Sequence, residues 1–335
     1  MGEDLGNDGH PLRGKRLNVR GVVGTCQSSG RMSVGPERPV SATRWTVTHV
    51  VELVVRIDVF LMILVAALVH AAWNALIKAD GDRLALITVM SSTQVGLSLC
   101  LVPFVTVPAQ ESWPYLLGSS ALNTGYMLSL NRAYQVGDLS LVYPFARGTA
   151  PLLVAVISIG LLREPLSHAN DVGILLISLG VTSQALTHGL ASGHGRRPVL
   201  CALATGACIA GYTILDGIGA RAAGSPHGYM VWISLVTGVL IVGCARRLRQ
   251  RGRGPIGVRS RRGGIVSGFM SYASSWLVIW GLTLAPIALV SALRETGIVF
   301  AVILGVIVLK ERVNLARVAS IGVTFVGTTL LKLSR

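Results

Sequence analysis

The chain has 335 residues, 51% of them hydrophobic and 13% charged, with a formal charge of +15 and a mean hydropathy of +0.62. A soluble domain carries about a quarter charged residues. Here the apolar excess falls in blocks of about 20 residues, the length that crosses a bilayer core as a helix, so the composition excludes a soluble globular protein and reads as a multi-pass membrane protein.

Taken in chain order, the first 58 residues are Gly-, Ser- and Arg-rich, with eight basic and six acidic residues. They lack the long apolar core of a signal peptide and show no amphipathic period. They are expected to be disordered, or to lie upstream of a true start near Val59 or Met62. Ten apolar spans follow, at 59–79, 83–107, 115–134, 139–162, 170–190, 198–221, 227–245, 264–284, 286–309 and 315–333. The expected fold is all-α, and short connections make consecutive helices antiparallel neighbours. Residues 246–262 hold eight arginines and no acid. Beside a membrane helix such a run reads as a topology signal and a contact for anionic lipid head groups, not as a nucleic-acid site. Five cysteines (Cys26, Cys100, Cys201, Cys208, Cys244) show no CxxC pair and no metal-ligand spacing. They read as small apolar fillers, and neither a metal nor a cofactor is implied.

The chain contains itself twice. Residues 139–182 align with 286–329 without a gap at an offset of 147, so that Arg147 meets Arg294, Thr149 meets Thr296, Leu162 meets Leu309, Glu164 meets Glu311 and Gly180 meets Gly327. Earlier, AAWNAL at 71–76 meets AGYTIL at 210–215 at an offset of 139, the longer arginine loop of the second half taking up the difference. The repeats span 59–190 and 198–333, five helices each. An odd number per repeat makes the second enter the membrane from the opposite side, the inverted topology of many secondary transporters. Such repeats hold a substrate site near the midplane between them, and alternating access follows when one rocks against the other. The plainer alternative is a duplication that only enlarged a bundle.

HAAWNALIK in the first helix, AYQVGDLSLVYPFARGTAPL running into the fourth, LRE at its end, and then GYTILDGIGAR, LTLAPIALVSALRETGIVFA and LKER in the second half resemble the EamA-type transporters of the drug/metabolite transporter superfamily. The resemblance covers about residues 58–333. It implies ten helices in two five-helix repeats and transport of small metabolites, usually export.

Ionisable side chains in the hydrocarbon region cost at least a few kcal/mol each and are candidates for function. Arg147 lies inside the fourth helix with Tyr143 one turn before it on the same face, and Pro144 between them is expected to loosen the backbone there. Arg294 is the mate of Arg147, with Glu295 next to it. Two converging guanidinium forks suit a carboxylate, phosphate or phosphonate. The alternative for Arg294 is a buried ion pair with Glu295 or Asp216. Trp73 and Asn74 stand at the positions of Tyr212 and Thr213, two halves of a pseudo-symmetric cavity wall. Asn74 is expected to bond across helices, and the aromatic pair either lines the cavity or packs. His70, Asp216 and Glu295 are candidates for proton coupling. His70 faces Ile209 and Asp216 faces Ile77 in the repeat alignment, so neither has a polar mate. Lys78 and Arg221 read as membrane-boundary residues, Glu164 and Glu311 as structural turns. The four-residue spacing of Gly297, Ala301 and Gly305 predicts close contacts and a buried ninth helix.

The loops on the side of 246–262 hold 15 basic residues, which puts them in the cytoplasm and both termini outside; the resemblance puts both termini inside. A reporter fused after Arg335 decides between them, since activity only in the periplasm establishes the outside arrangement.

The leading function is secondary transport of a small polar anionic or zwitterionic metabolite across the cell (inner or plasma) membrane. Proton coupling and exchange are both compatible with it, as is a homodimer. The alternatives are a flippase of the same fold for lipid-linked substrates, marked by a lipid-open groove, and a sensor that binds without flux. No Walker A pattern supports ATP-driven transport, and no HExxH or GxSxG motif supports an intramembrane enzyme.

Overall fold

The computed structural model describes residues 57–79, 82–136, 139–164, 166–189, 196–249, 256–309 and 315–333. The expectations for residues 1–56 and Cys26 lie outside these residues, as do those for Glu311, Gly305 and the side chains of Lys78 and Tyr143.

The described residues form α-helices and two short 3-10 turns, with no strand among them. The helices are α1 (Ile57–Ala79), α2 (Arg83–Leu101), α3 (Trp113–Val136), α4 (Leu139–Gly160), α5 (His168–Gly189), α6 (Arg196–Ala222), α7 (Pro226–Arg249), α8 (Val258–Leu284), α9 (Ile287–Glu295), α10 (Gly297–Leu309) and α11 (Leu315–Leu333). Five of these segments are long and apolar enough on their own to cross a membrane. The helices stand where the ten spans were expected, with two differences. The second span ends its α-helix at Leu101 and finishes as a 3-10 turn at Pro103, because proline cannot supply the next backbone donor. The ninth is divided into α9 and α10.

The division has a local cause. Thr296 turns its hydroxyl onto the Leu293 carbonyl at 2.6 Å, competing with the helical ladder, and its amide goes to the same carbonyl at 3.1 Å. The next residue is Gly297, and a Cβ there would lie 3.1 Å from the Ala67 carbonyl oxygen of α1. The first repeat has Ala150 at that position, and α4 runs unbroken, even across Pro144. The loosening expected at the proline thus occurs at the threonine-glycine pair of the other repeat.

Packing follows the repeat. α1 lies on α8 as α6 lies on α3, α2 on α8 as α7 on α3, and α4 on α6 as α9 and α10 on α1; α2 with α7 and α5 with α11 pair across the exchange. The relation reaches single residues. A Cβ on Gly180 would meet the Ser320 carbonyl of α11, and one on Gly327 would meet the Gly173 carbonyl of α5; adding or subtracting 147 turns one contact into the other. Small residues bring these backbones together.

The polarity is that of a membrane protein. Ser91, Ser98, Ser119, Ser178, Ser267 and Ser274 are buried, while Phe104, Val156, Leu161 and Phe325 are more than 60% exposed. Large apolar side chains face outward, and small polar ones seal the interior. The close packing at some glycines gives a stability prediction. Gly148 sits so close to α5 that a Cβ would be 2.1 Å from the Thr182 hydroxyl and 2.8 Å from its amide nitrogen, whereas nothing lies within 4 Å at Gly96. Gly148→Ala should lower thermal stability in detergent by an amount typical of overpacking, about 1–3 kcal/mol, and Gly96→Ala should leave the melting temperature unchanged or slightly raised.

Candidate functional site

α1, α4, α6 and α9 meet inside the bundle and bring most of the expected polar residues together. Arg147 on α4 and Glu295 on α9 form an ion pair, Nε to Oε2 at 2.8 Å, with 7% and 3% of their side chains exposed. Nη1 of Arg147 also approaches Nε2 of His70 on α1 at 3.4 Å. A guanidinium only donates, so Nε2 is the acceptor in that contact. The His70 ring stands edge-on to Trp73, with centroids 4.8 Å apart.

The expected pairing is thus rearranged. Glu295 is bound not by its neighbour Arg294 but by Arg147 of the other repeat. Adjacent residues of a helix point about 100° apart, so the two side chains leave α9 in different directions. Arg294 has a buried Nε with no hydrogen-bond partner among the described residues. Its charge is felt at His70, Glu295 and Asp216, so it belongs to the same cluster. The repeat explains the asymmetry. If Arg147 pairs with position 295, its mate Arg294 would pair with position 148. That position is Gly148, and α5 leaves no room there for a side chain. Position 295 thus gives Arg147 a carboxylate, and the mated position 148 gives Arg294 none.

Asp216 on α6 forms a second polar node. Its Oδ1 accepts hydrogen bonds from the Ser119 hydroxyl of α3 and, at 3.4 Å, from the fully buried Tyr229 hydroxyl of α7. Neither partner was singled out in the sequence, where a serine in an apolar helix and a tyrosine near a helix start carry no signal. Among the described residues Asp216 forms no ion pair with either arginine.

The wall residues behave less as expected. Asn74 donates to the His70 carbonyl of its own helix at 2.7 Å, not across helices. Thr213 does the same to the Ile209 carbonyl, also at 2.7 Å, and these two bonds are themselves repeat mates. Tyr212 is buried against Tyr126, with ring centroids 6.1 Å apart, and against Ala150; it packs. Trp73 keeps a buried indole N–H with no partner among the described residues. The ninth helix is buried only in its first part: every α9 residue but Arg294 is buried, while Ala301 and Ile303 of α10 are exposed.

At one end of the bundle Arg221 does more than mark the boundary. Its Nε donates to the Leu282 carbonyl at 2.9 Å, its Nη2 to the Ala285 carbonyl at 2.8 Å and its Nη1 to Glu164 Oε1 at 2.7 Å. The other carboxylate oxygen of Glu164 accepts the Ile287 amide at 2.9 Å and so caps α9, where a negative charge is favoured. Arg163 just before it takes φ 51°, the left-handed turn that swings Glu164 back over the bundle. This clasp joins the α4–α5 turn to the ends of α6 and α8 and the start of α9, and Glu164 is structural as expected.

Beside the carboxylates of Glu295 and Asp216 the arrangement gathers guanidinium and indole donors, groups able to bind an anion.

Comparison with known proteins bears on the fold and the family. A solved crystal structure, titled only as that of a protein, superposes with a TM-score of 0.67 at 20% sequence identity, over 83% of this chain and 97% of its own, a likeness of fold alone. No curated protein matches the chain. The model of the EamA-like transporter family matches residues 59–183 and 196–333. That is well over half of the 335 residues in two consecutive copies, and the chain is a multi-pass membrane protein that belongs to the EamA-like transporter family.

Proposed function

We propose that this protein is a secondary transporter, in the direction of export, for a small polar anionic or zwitterionic metabolite. The site is the Arg147–Glu295–Arg294 cluster between inverted repeats, and the membrane is the cell (inner or plasma) membrane. The observation that carries this reading is the open donor: Arg147 is paired with Glu295, while the buried Nε of Arg294 has no hydrogen-bond partner among the described residues. A donor left unpaired in the interior carries a desolvation cost, and an oxyanion that accepts from the planar fork of Arg294 would offset that cost. Trp73, whose buried N–H is also unpaired, offers one further donor beside His70. Asn74, Tyr212 and Thr213 shape the wall, and Tyr143 remains part of the proposed site by its helical spacing to Arg147. The exposed Arg246, Arg247, Arg261 and Arg262 suit anionic lipid head groups at the membrane surface.

Counterflow in proteoliposomes, read by mass spectrometry against carboxylates, amino acids, phosphates and phosphonates, tests this. Arg294→Ala should remove transport of the anionic substrate and Arg294→Lys should recover part of it. Binding of an anion without any flux would make the protein a sensor instead.

A further inference from the structure

The cluster holds four side chains of definite charge type: the cations Arg147 and Arg294 and the carboxylates Glu295 and Asp216, two of each sign. An arriving anion adds a negative charge to a site where an unbalanced charge costs several kcal/mol. One carboxylate must then lose its charge, and the geometry distinguishes the two. Asp216 is occupied by the hydroxyls of Ser119 and Tyr229, on α3 and α7. Glu295 is held in the ion pair with Arg147, whose guanidinium is one of the groups an anion beside Arg294 would take.

We propose that Glu295 is the coupling residue, which exchanges a substrate anion for its own charge by taking up one proton. This rests on the transporter reading above. A proton from cavity water adds to Oε2, the Arg147 pair opens, and the freed Nε–H donates to a carboxylate or phosphate oxygen of the substrate. When that proton returns to water, the carboxylate reclaims Arg147 and the anion leaves. The total charge of the site is the same before and after, so one proton travels with each negative charge. Only the second repeat can do this, because Gly148 stands at the mated position.

The groups that face Glu295 are few. α4 brings Arg147, α1 brings His70, α9 itself brings Arg294, and α6 brings Asp216 beyond Arg294. The titratable and charged residues of α5 and α8 stand at helix ends: His168 and Asp171 in the first turn and His188 in the last turn of α5, and Arg259, Arg261 and Arg262 in the first two turns of α8. The charges felt at Glu295 are those of Arg147 and Arg294. His70 already accepts from Arg147, so opening the pair leaves it in place.

The test uses the full chain in proteoliposomes with pyranine trapped inside, and succinate, pyruvate, phosphoenolpyruvate, phosphonoacetate and glutamate as probes. For any anion that moves by counterflow, net uptake by the wild type should acidify the lumen. Its half-saturating concentration should rise about tenfold per pH unit above the titration range of the site, the slope of one linked proton. Glu295→Gln keeps the shape and an acceptor for Arg147, and whatever anion exchange it supports should show a flattened slope and no acidification. If anions exchange without acidification in the wild type, or if Asp216→Asn and not Glu295→Gln flattens the slope, the coupling assignment is wrong while the transporter stands. If no anion moves, the transporter reading falls first, and this one with it. Where Glu295→Gln fails to fold, a wild type that does not acidify the lumen still overturns the assignment, as does a flattened slope in Asp216→Asn.

Discussion

Arg147→Ala should lose most anion transport and also loosen the fold, and the two losses should be separable. A hydrogen bond to a charged group contributes about 1.5–3 kcal/mol, so losing one donor from the substrate lowers affinity roughly tenfold to a hundredfold. The same change strands Glu295, 3% exposed, as a buried carboxylate without its partner, and breaking a buried pair from one side costs about 3–5 kcal/mol. Adding Glu295→Gln to Arg147→Ala should restore much of the thermal stability without restoring transport. Counterflow together with melting in detergent measures both. Transport unchanged in Arg147→Ala would remove this residue from the site.

The second large effect is expected at the clasp. Arg221→Ala leaves the Leu282 and Ala285 carbonyls and the Glu164 carboxylate without their donor at once, each buried acceptor carrying its own desolvation cost of about 1–3 kcal/mol. Arg221→Lys, with one ammonium in place of a planar fork, can serve only part of this set and should fall between wild type and alanine. Glu164→Gln keeps an oxygen for the Ile287 amide and should be milder than Glu164→Ala. Melting temperatures in this order, Gln above Ala at 164 and Lys above Ala at 221, would support the contacts as described. An Arg221→Ala protein as stable as wild type would contradict them.

The repeat, the all-helical architecture and the two mated arginines were all legible in the sequence, because each depends on length, polarity or self-similarity. What could not be read was which groups touch. Arg294 and Glu295 are neighbours in the chain and strangers in the fold, since an α-helix separates consecutive side chains and tertiary packing then delivers Arg147 to the carboxylate. Asn74 and Thr213 were legible as matched polar residues; that each bonds a carbonyl one turn back on its own helix, as short polar side chains in a helix do, was not. The break before α10 did have a sequence signal, Gly297 standing where the first repeat has Ala150. Its meaning depends on the close approach of Ala67, which only the fold supplies. Ser119 and Tyr229 gave none, as their importance comes entirely from Asp216 lying opposite.

The short helix α9 connects these two predictions. It has nine residues, which at 1.5 Å per residue makes a rod about 13 Å long. One end is fastened by Glu164 and Arg221, and the other carries Arg294 and Glu295. Because the helical ladder stops at Thr296, the rod is not obliged to follow α10 when it tilts. Whatever pulls on Glu295 is therefore transmitted along α9 to the clasp at the end of the bundle, as a push on one end of a lever is delivered at the other.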